Sequence, residues 1–233
     1  MKRRIALFGR RLGRWVLTGL GAWILFSLAQ VLALRWVDPP LTVPMIWHRI
    51  TQTLGVAPSV RLRYEWVPLT AVSSHLRRAV IASEDQRFLR HRGFDLVEIG
   101  RAVSAVIDGE RLRGASTISM QTARSVFLIP SRTVVRKALE AYYTVLIEAL
   151  WDKRRILEMY LNTVDWGDGI FGAEAAARIY FKVSAGGLTP SQAALMTAVL
   201  PNPHRLSPRR AGPYLRQRQQ RILADMPGMP LVR

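Results

Sequence analysis

An uncharged stretch at residues 15–34 constrains this chain more than any other feature of its sequence. Arg14 and Arg35 bracket it, and its 20 residues match the roughly 20 that a helix needs to cross a bilayer. The positive charges lie before the stretch, at Lys2, Arg3, Arg4, Arg10, Arg11 and Arg14. By the positive-inside rule, the N-terminus is expected to stay in the cytoplasm and the remainder to be exported. The alternative, a cleaved signal peptide, usually has an apolar region of only about 7 to 15 residues.

The remaining chain is expected to form a short linker and one domain. Pro39, Pro40 and Pro44 break helices and keep the chain extended. The predicted segments are a basic cytoplasmic tail (1–14), a transmembrane anchor (15–36), a linker (37–60) and a folded domain (61–233). A domain of that size is long enough for one sizeable core and short for two enzymatic units. A single catalytic domain is therefore expected.

Hydrophobic residues in the predicted domain recur at helical spacing. Leu69, Val72 and Leu76 lie three and four residues apart, which is the period of a helix with one buried face. Strand-like alternation is nearly confined to residues 60–67. The sequence therefore predicts a mainly α fold. Further helices are expected at about 96–107, 117–127, 134–162, 172–181 and 189–200.

The composition points to an anionic partner. The formal net charge is +18, and most of the positive charge comes from arginine, whose planar guanidinium makes bidentate contacts with phosphate. Nucleic acid, anionic lipid and a phosphorylated substrate all fit such a charge, but export of the domain argues against nucleic acid. The chain has no cysteine, which excludes disulfides, a thiol nucleophile and a cysteine-rich metal site.

The segment IASEDQRFLRHRGFD, residues 81–95, contains two adjacent carboxylates near a predicted helix end. Glu84 continues the apolar face of that helix, and a sheltered carboxylate can be tuned to act as a general base near neutral pH. If the helix continues, Phe88 and His91 share this face and Asp85 points away from it. The alternative is a solvated acidic pair at a helix end that a glycine caps.

The segment GASTISMQTARSVFL, residues 114–128, predicts a helix whose start could bind an anion. Ser116 and Thr117 are both competent N-caps after a glycine turn, and backbone N–H groups at such a helix start can bind an anion. Thr117, Gln121 and Arg124 follow at i, i+4 and i+7, so they form one polar stripe that suits a sugar phosphate. The alternative is an ordinary capped surface helix.

A basic cluster begins the next predicted helix. Arg132, Arg136, Lys137 and Glu140 fall within about two turns, and Glu140 flanks the apolar face. Taken alone, Arg136 and Glu140 at i, i+4 indicate a plain surface ion pair.

Two later segments are interpreted as scaffold. Asn162 fits a left-handed C-cap at the end of its helix. The arginine-rich segment 205–221 is expected to be a solvated helix rather than part of a site.

Four motifs occur together in chain order, and their combination distinguishes between these interpretations, which no single motif could do. They are Glu84-Asp85-x-x-Phe88-x-x-His91-x-Gly93, Gly114-x-Ser116-Thr117-Ile118-x-x-Gln121, Arg136-Lys137-x-x-Glu140, and Ile156-Leu157-Glu158-x-Tyr160-Leu161-Asn162 followed by Gly167. Over about residues 69–208 the chain closely resembles the peptidoglycan glycosyltransferase family. With one anchor and neither the S-x-x-K nor the K-T-G motif of a transpeptidase domain, it is similar to the monofunctional biosynthetic members.

The resemblance implies a lysozyme-like domain that polymerises lipid II, with inversion, onto the 4-hydroxyl of the next unit and with release of undecaprenyl pyrophosphate. It implies that Glu84 is the general base, and that Glu140 positions the pyrophosphate directly or through a divalent cation, Mg²⁺ or Mn²⁺. The cations expected to meet the leaving group's charge are Arg124, Arg132, Arg136 and Lys137. The residues expected to bind substrate or shape the cleft are Asp85, Phe88, His91, Ser116, Thr117 and Gln121. No organic cofactor is implied.

The resemblance also implies a location and partners. A single-pass protein of the bacterial inner membrane is expected, with a cytoplasmic N-terminus and a periplasmic catalytic domain. The expected partners are lipid II, the nascent glycan strand and membrane lipids; other cell-wall synthesis or division proteins stay open, and no nucleic acid is expected. The apolar run Phe127, Leu128, Ile129 and Pro130 is expected to dip into the membrane surface. Glu84 and the arginines are expected to open onto one cavity.

The chain departs from the family pattern at a few positions. Two glutamines are usual where it has Met120-Gln121, lysine-asparagine where it has Arg124-Ser125, and glycine is frequent where it has Lys182. None of these positions is Glu84 or Glu140, so activity is still expected, and the effect on donor affinity stays open. Two rival functions stay open: a lysozyme-type glycan hydrolase with Glu84 as general acid, and an inactive scaffold of a cell-wall synthesis complex. Hydrolysis needs no pyrophosphate clamp, so the basic cluster argues for transfer.

Overall fold

The computed structural model describes residues 2–56, 60–109 and 116–232, with the side chains of residues 2–12 and of Val106 left aside. Gly114, the first residue of the second motif, lies outside the described residues. The chain divides into two compact units, Met1–Pro39 and Pro40–Arg233.

The first unit consists mainly of one long helix, α1 (Lys2–Ala33). Its stretch Gly13–Ala33 has a mean hydropathy of 1.9, so this helix is long and apolar enough to cross a membrane. This agrees with a membrane-anchored protein. The helix extends N-terminally through the predicted basic tail, so the tail and the anchor form one continuous helix.

The second unit is mainly helical, as the spacing of its apolar residues predicts. Its helices are α2 (Val43–Thr53), α3 (Ser74–Glu84), α4 (Leu96–Ile107), α5 (Ile118–Phe127), α6 (Val134–Leu150), α7 (Lys153–Thr163), α8 (Ala173–Phe181), α9 (Pro190–Ala198) and α10 (Pro213–Asp225). Two short parallel strands, β1 (Arg63–Tyr64) and β2 (Ile170–Phe171), pair with Arg63 opposite Ile170. The strand-like pattern at residues 60–67 therefore yields only two residues of strand.

Side-chain caps explain where several helices begin. Thr117, Thr133 and Asp152 each accept a hydrogen bond from the backbone N–H three residues ahead, at the starts of α5, α6 and α7. Asp152 also corrects a prediction. One helix was expected over 134–162, but Trp151 is extended and Asp152 caps a new helix, so the run is divided into α6 and α7.

The predicted linker at 37–60 is wrong where α2 forms. Pro44 lies in the first turn of α2, a position where proline starts a helix rather than breaking one, since its missing N–H would have no partner there. Pro44 and Met45 are buried, and α2 packs against α5. The folded domain therefore begins before residue 61.

Helix α5 lies at the centre of the second unit. It packs against α6 and α7, and every residue from Ile118 to Phe127 is buried except Arg124. On another side, α9 packs against both α3 and α10. These contacts hold α3, whose last residue is Glu84, against α9 and α10.

Asn162 corrects a second prediction. It lies inside α7, and the helix ends at Val164 in an extended conformation rather than at a left-handed cap. Its amide pairs with both backbone groups of Val67, at 2.9 Å each. One turn earlier, Glu158 accepts a hydrogen bond from the backbone N–H of Leu69 at 2.8 Å. This part of the fourth motif therefore fastens the segment before α3 to α7.

Candidate active site

Glu84 is the last residue of α3, and its carboxylate is held from three directions. Oε1 accepts a hydrogen bond from the Ser83 hydroxyl at 2.8 Å and lies 3.4 Å from Nη2 of Arg218. Oε2 accepts a hydrogen bond from the Gln121 amide at 3.1 Å. The side chain is 13% exposed. The predicted shelter of Glu84 is confirmed, and the carboxylate is still within reach of a ligand.

The helix does not continue past Glu84. The backbone of Asp85 is extended (φ −165°), and Phe88 follows in a separate 3₁₀ turn, Phe88–Arg90. Phe88 is fully buried, and the ammonium of Lys153 lies 4.6 Å from its ring centroid. The ring therefore packs inside the protein rather than lining a cleft.

Gln121 connects Glu84 to the core. The Tyr160 hydroxyl donates to Oε1 of Gln121 at 3.2 Å, so the amide nitrogen is directed to Glu84. Burial raises the pKa of the Tyr160 hydroxyl well above its usual range, the negative charge of Glu84 raises it further, and the charge of Arg124 lowers it. The hydroxyl therefore stays protonated as a donor, and it lies within electrostatic range of Glu84 and Arg124 alike.

Asp85 is buried, so the first motif is not a solvated acidic pair. Its carboxylate accepts hydrogen bonds from the His91 ring at 3.0 Å and from the backbone N–H of Ile118 at 3.0 Å. The latter group belongs to the start of α5, where the sequence predicts an anion site. This chain places its own carboxylate there, because free N–H groups at a helix start attract negative charge.

Thr117 ties the same loop to α5. Its hydroxyl donates to the carbonyl of Gly93 at 2.6 Å and accepts from the N–H of Met120 at 3.2 Å. Gly93 has φ +89°, and a Cβ there would lie 2.8 Å from a methyl group of Thr144, so only glycine fits. Thr117, Asp85 and His91 therefore position α5 next to Glu84 through contacts within the protein. Ser116 is half-buried immediately before them.

Glu140 has surroundings unlike those of Glu84. It is 1% exposed, and its two oxygens lie 2.5 Å from Nη1 of Arg136 and 2.5 Å from Nζ of Lys137. The pair with Arg136 is therefore not a plain surface ion pair, since the carboxylate is removed from water. Arg136 is partly buried beside it, at 17% exposed, while Lys137 is 49% exposed.

Three of the predicted cations line one cavity of about 670 Å³. Arg124, Arg132 and Arg136 contribute to its wall, together with Trp47 and His48 of α2. Glu84 does not line this cavity, so the prediction that it shares a cavity with the arginines is not met here. Glu84 and the cavity lie at neighbouring positions along α5. Gln121 contacts Glu84. Arg124, one turn later, contributes to the cavity wall.

The expected membrane-dipping run is wrong for two of its residues. Phe127 and Leu128 are 7% and 5% exposed, and the Phe127 ring stacks on Tyr143 with centroids 4.4 Å apart. Ile129 is 46% exposed. The apolar surface near the cavity continues instead at Val134 and Val135, which are 87% and 70% exposed.

A divalent cation does not fit Glu140 as the structure has it. Both oxygens of the carboxylate already face a cationic side chain, and a metal ion would have to displace at least one of them. Among the described residues, Asp85, His91 and Asp95 lie close enough together to hold a metal. Their carboxylates are already used, by Ile118 and His91 for Asp85 and by Arg87 for Asp95.

Sequence reasoning missed Arg218. The arginine-rich segment is not simply solvated, because α10 packs against α9 and α3 and buries Leu215 and Ile222. Leu215, Arg218 and Ile222 are spaced i, i+3, i+7 and therefore share one helix face. That spacing was a signal that Arg218 points inward, where it contacts Ser83 and Glu84.

The positions that depart from the family pattern affect the surroundings of the site more than its carboxylates. Ser125 is buried and lines the arginine cavity, whereas Met120 is buried and is not among the residues lining it. Lys182 ends α8 with φ +63°, a left-handed conformation in which glycine is favoured. These positions leave the contacts of Glu84 and Glu140 intact.

Fold and site together fit a class of protein: a mainly helical enzyme that pairs a sheltered glutamate with a cavity suited to an anionic leaving group. Residues 51–227 match the family model described as Transglycosylase. The chain is 51% identical over 207 residues to the biosynthetic peptidoglycan transglycosylase of Rhodospirillum centenum, covering 89% of this chain and 86% of that protein. It is 45% identical over 219 residues to that of Aeromonas hydrophila, covering 92% of each. For the protein of Pseudomonas aeruginosa with the same name, identity is 44% over 217 residues, covering 93% and 91%.

The chain belongs to the transglycosylase family. Its catalytic domain has the lysozyme-like fold of that family, preceded by one apolar helix.

Proposed function

We propose that this chain polymerises lipid II into the glycan strands of bacterial peptidoglycan and releases undecaprenyl pyrophosphate. One observation carries the mechanistic part of the proposal. A sheltered glutamate and a cavity lined by three arginines lie one helical turn apart along α5. The first suits removal of a proton from a sugar hydroxyl, and the second suits a diphosphate.

The proposed step is a direct displacement. The Glu84 carboxylate takes the proton of the acceptor 4-hydroxyl while that oxygen forms a bond to the donor's anomeric carbon. The bond from that carbon to the pyrophosphate oxygen breaks, and its electron pair leaves with the pyrophosphate. Attack opposite the leaving group inverts the anomeric centre. The arginines of the cavity stabilise the negative charge that develops on the diphosphate.

Glu140 has a different part in this proposal. Its oxygens bind Arg136 and Lys137, and Arg136 also lines the cavity. The carboxylate therefore fixes the direction of the guanidinium before substrate arrives, which avoids reorganisation during the reaction. In this account Glu140 acts on the pyrophosphate through Arg136.

We further propose that the second unit lies at the outer face of the inner membrane, with the N-terminus in the cytoplasm. The basic residues that precede the uncharged stretch 15–34 favour that orientation. Helix α4 exposes an apolar set, and so does the start of α6: Leu96, Val97, Val103, Ile107, Val134 and Val135. A lipid photo-crosslinker in nanodiscs is expected to label these segments of the full-length protein. Labelling confined to α1 would contradict this placement.

The arginine cavity favours transfer over hydrolysis, because hydrolysis of finished glycan has no diphosphate to bind. The test is to incubate the purified full-length protein with labelled lipid II and, separately, with finished glycan, each with and without chelator. We expect longer strands from lipid II and no shortening of the glycan. Shortened glycan would support a hydrolase. An equal product yield from the wild type and Glu84→Gln would support an inactive scaffold with a contaminating activity.

A further inference from the structure

The C-terminal helix α10 contributes a cation to the surroundings of Glu84. Nη2 of Arg218 lies 2.8 Å from the Ser83 hydroxyl and 3.4 Å from Oε1 of Glu84. The Arg218 side chain is 27% exposed, and it lines a small recess of about 200 Å³ with Ser83, Tyr214 and Arg221. Helix α10 is held in place by α9 and by α3, which carries Glu84.

The hydrogen-bond chemistry makes this contact directional. A guanidinium can only donate, so the Ser83 oxygen accepts from Arg218. The Ser83 proton is then free to point to Oε1 of Glu84, and it does so at 2.8 Å. On the other oxygen, Gln121 donates, and the amide is oriented by the Tyr160 hydroxyl. Each oxygen of the carboxylate therefore has a donor whose direction is set by another residue.

We propose that Arg218 is a positioning residue for the base: together with Ser83 it fixes the Glu84 carboxylate in the orientation that receives the acceptor proton. The arginine-rich C-terminal helix is then part of the active site rather than a solvated tail. This inference rests on the proposed function, since it assigns a task to a neighbour of the proposed base.

The nearby charges separate the role of Arg218 from that of the arginine cavity. Arg218 does not line that cavity, and Arg124, Arg132 and Arg136 do not line the recess at Arg218. Arg218 therefore contacts the proposed base, while the other three face the proposed leaving group. Loss of Arg218 should lower turnover without weakening the binding of lipid II, whereas loss of a cavity arginine should weaken binding.

The experiment measures kcat and KM for lipid II with full-length wild type, Arg218→Gln, Arg218→Lys and Glu84→Gln. We expect kcat of Arg218→Gln to fall about 10- to 100-fold, the range for losing a hydrogen bond to a charged group. KM should stay within about twofold, and lysine should recover part of kcat because it restores the positive charge. Arg221→Gln is the matched control: it removes the same charge from the same helix, one turn further on, and should behave like the wild type.

A second variant tests the same inference if Arg218→Gln is poorly folded. Ser83→Ala should lower kcat, and the double variant Ser83→Ala, Arg218→Gln should lose little more than Arg218→Gln alone, because both residues act on the same oxygen. The inference is overturned if Arg218→Gln retains wild-type kcat while Glu84→Gln is inactive. It is equally overturned if KM rises with kcat unchanged, or if glutamine and lysine variants lose activity and melting temperature in parallel. A wild type that forms no strands from lipid II overturns the proposed function itself.

Discussion

The two glutamates of the site, Glu84 and Glu140, are both sheltered but differ in their electrostatic surroundings. Glu84 receives hydrogen bonds from a hydroxyl and an amide, with one guanidinium at 3.4 Å. Glu140 is more deeply buried, and each of its oxygens lies 2.5 Å from a full positive charge.

The difference separates a group that a substrate can reach from one that holds cations in place. Glu84 is 13% exposed, so a substrate hydroxyl can approach its carboxylate. Glu140 is 1% exposed and has a cation at each oxygen, so a substrate hydroxyl would have to displace one of them. The structure therefore supports chemistry at Glu84 and electrostatic organisation at Glu140.

The largest expected effect is that of Glu84→Gln on turnover. The change is nearly isosteric but removes the proton acceptor, and general base catalysis contributes about 10²- to 10⁴-fold. We expect a loss of polymerisation in that range, with lipid II binding and the thermal transition unchanged. Strand formation from labelled lipid II measures the first, and calorimetry measures the last. A large fall in stability without a fall in kcat would reverse the comparison between the two glutamates.

Glu140→Gln should affect stability as well as rate. It leaves Arg136 and Lys137 beside a buried neutral amide, and breaking a buried pair costs about 3 to 5 kcal/mol. Because Lys137 is half-exposed and can turn to solvent, we expect the low end of that range. Chemical denaturation of the full-length protein measures the free energy of unfolding, and Glu98→Gln, which loses an exposed ion pair with Arg101, is the control. A cost no greater than that of the control would mean that the pair contributes little.

Tyr160→Phe tests whether the neutral donors at Glu84 are held in place. Without the hydroxyl, the Gln121 amide loses the partner that orients it. We expect kcat to fall about tenfold, in line with loss of a buried hydrogen bond. Tyr143→Phe is the control, since that buried ring contacts Phe127 and Tyr142 instead. Equal kcat in both variants would show that Gln121 needs no help from Tyr160.

The smallest expected effect concerns an exposed pair near the cavity. The hydrogen bond from His204 to Asp165 raises the pKa of the His204 ring above its ordinary value of 6.5. Its stabilisation is therefore fully present below about pH 6.5 and is lost as pH rises through the folded-state pKa.

Because the His204 side chain is 59% exposed, solvent screening keeps this contribution small. Relative to the wild type, His204→Gln should lower the melting temperature by at most about 2 °C at pH 5.5 and less at pH 9. Thermal scans of both proteins across that pH range measure it. A difference that grows with pH would contradict the assignment.

Periodicity predicted most of the helices, because their buried faces recur every three to four residues. It failed where a single residue determines where a helix begins or ends. Asp152 divides the predicted run at 134–162, and Pro44 begins a helix inside the predicted linker. Asn162 was misplaced for a related reason, since an amide that binds a distant backbone leaves no local signal. These features depend on contacts between segments far apart in the chain.

The site was predictable in its residue types but not in its contacts. The motifs drew attention to Asp85, His91 and Thr117, yet nothing in their spacing shows that they bind one another and the start of α5. Arg218 lies outside those motifs, and only the tertiary packing of α10 brings it to Glu84. That the arginine cavity excludes Glu84 also follows from packing alone.

The central claim is that Glu84 is the base and that Glu140 positions cations. Chemical rescue tests it most directly. In Glu84→Ala, the hydrogen-bond donors of Ser83, Gln121 and Arg218 remain and should bind a small carboxylate in place of the missing one. We predict that added formate restores measurable polymerisation of lipid II to Glu84→Ala and none to Glu140→Ala. Rescue of Glu140→Ala alone, or wild-type activity in Glu84→Ala without formate, would contradict the account.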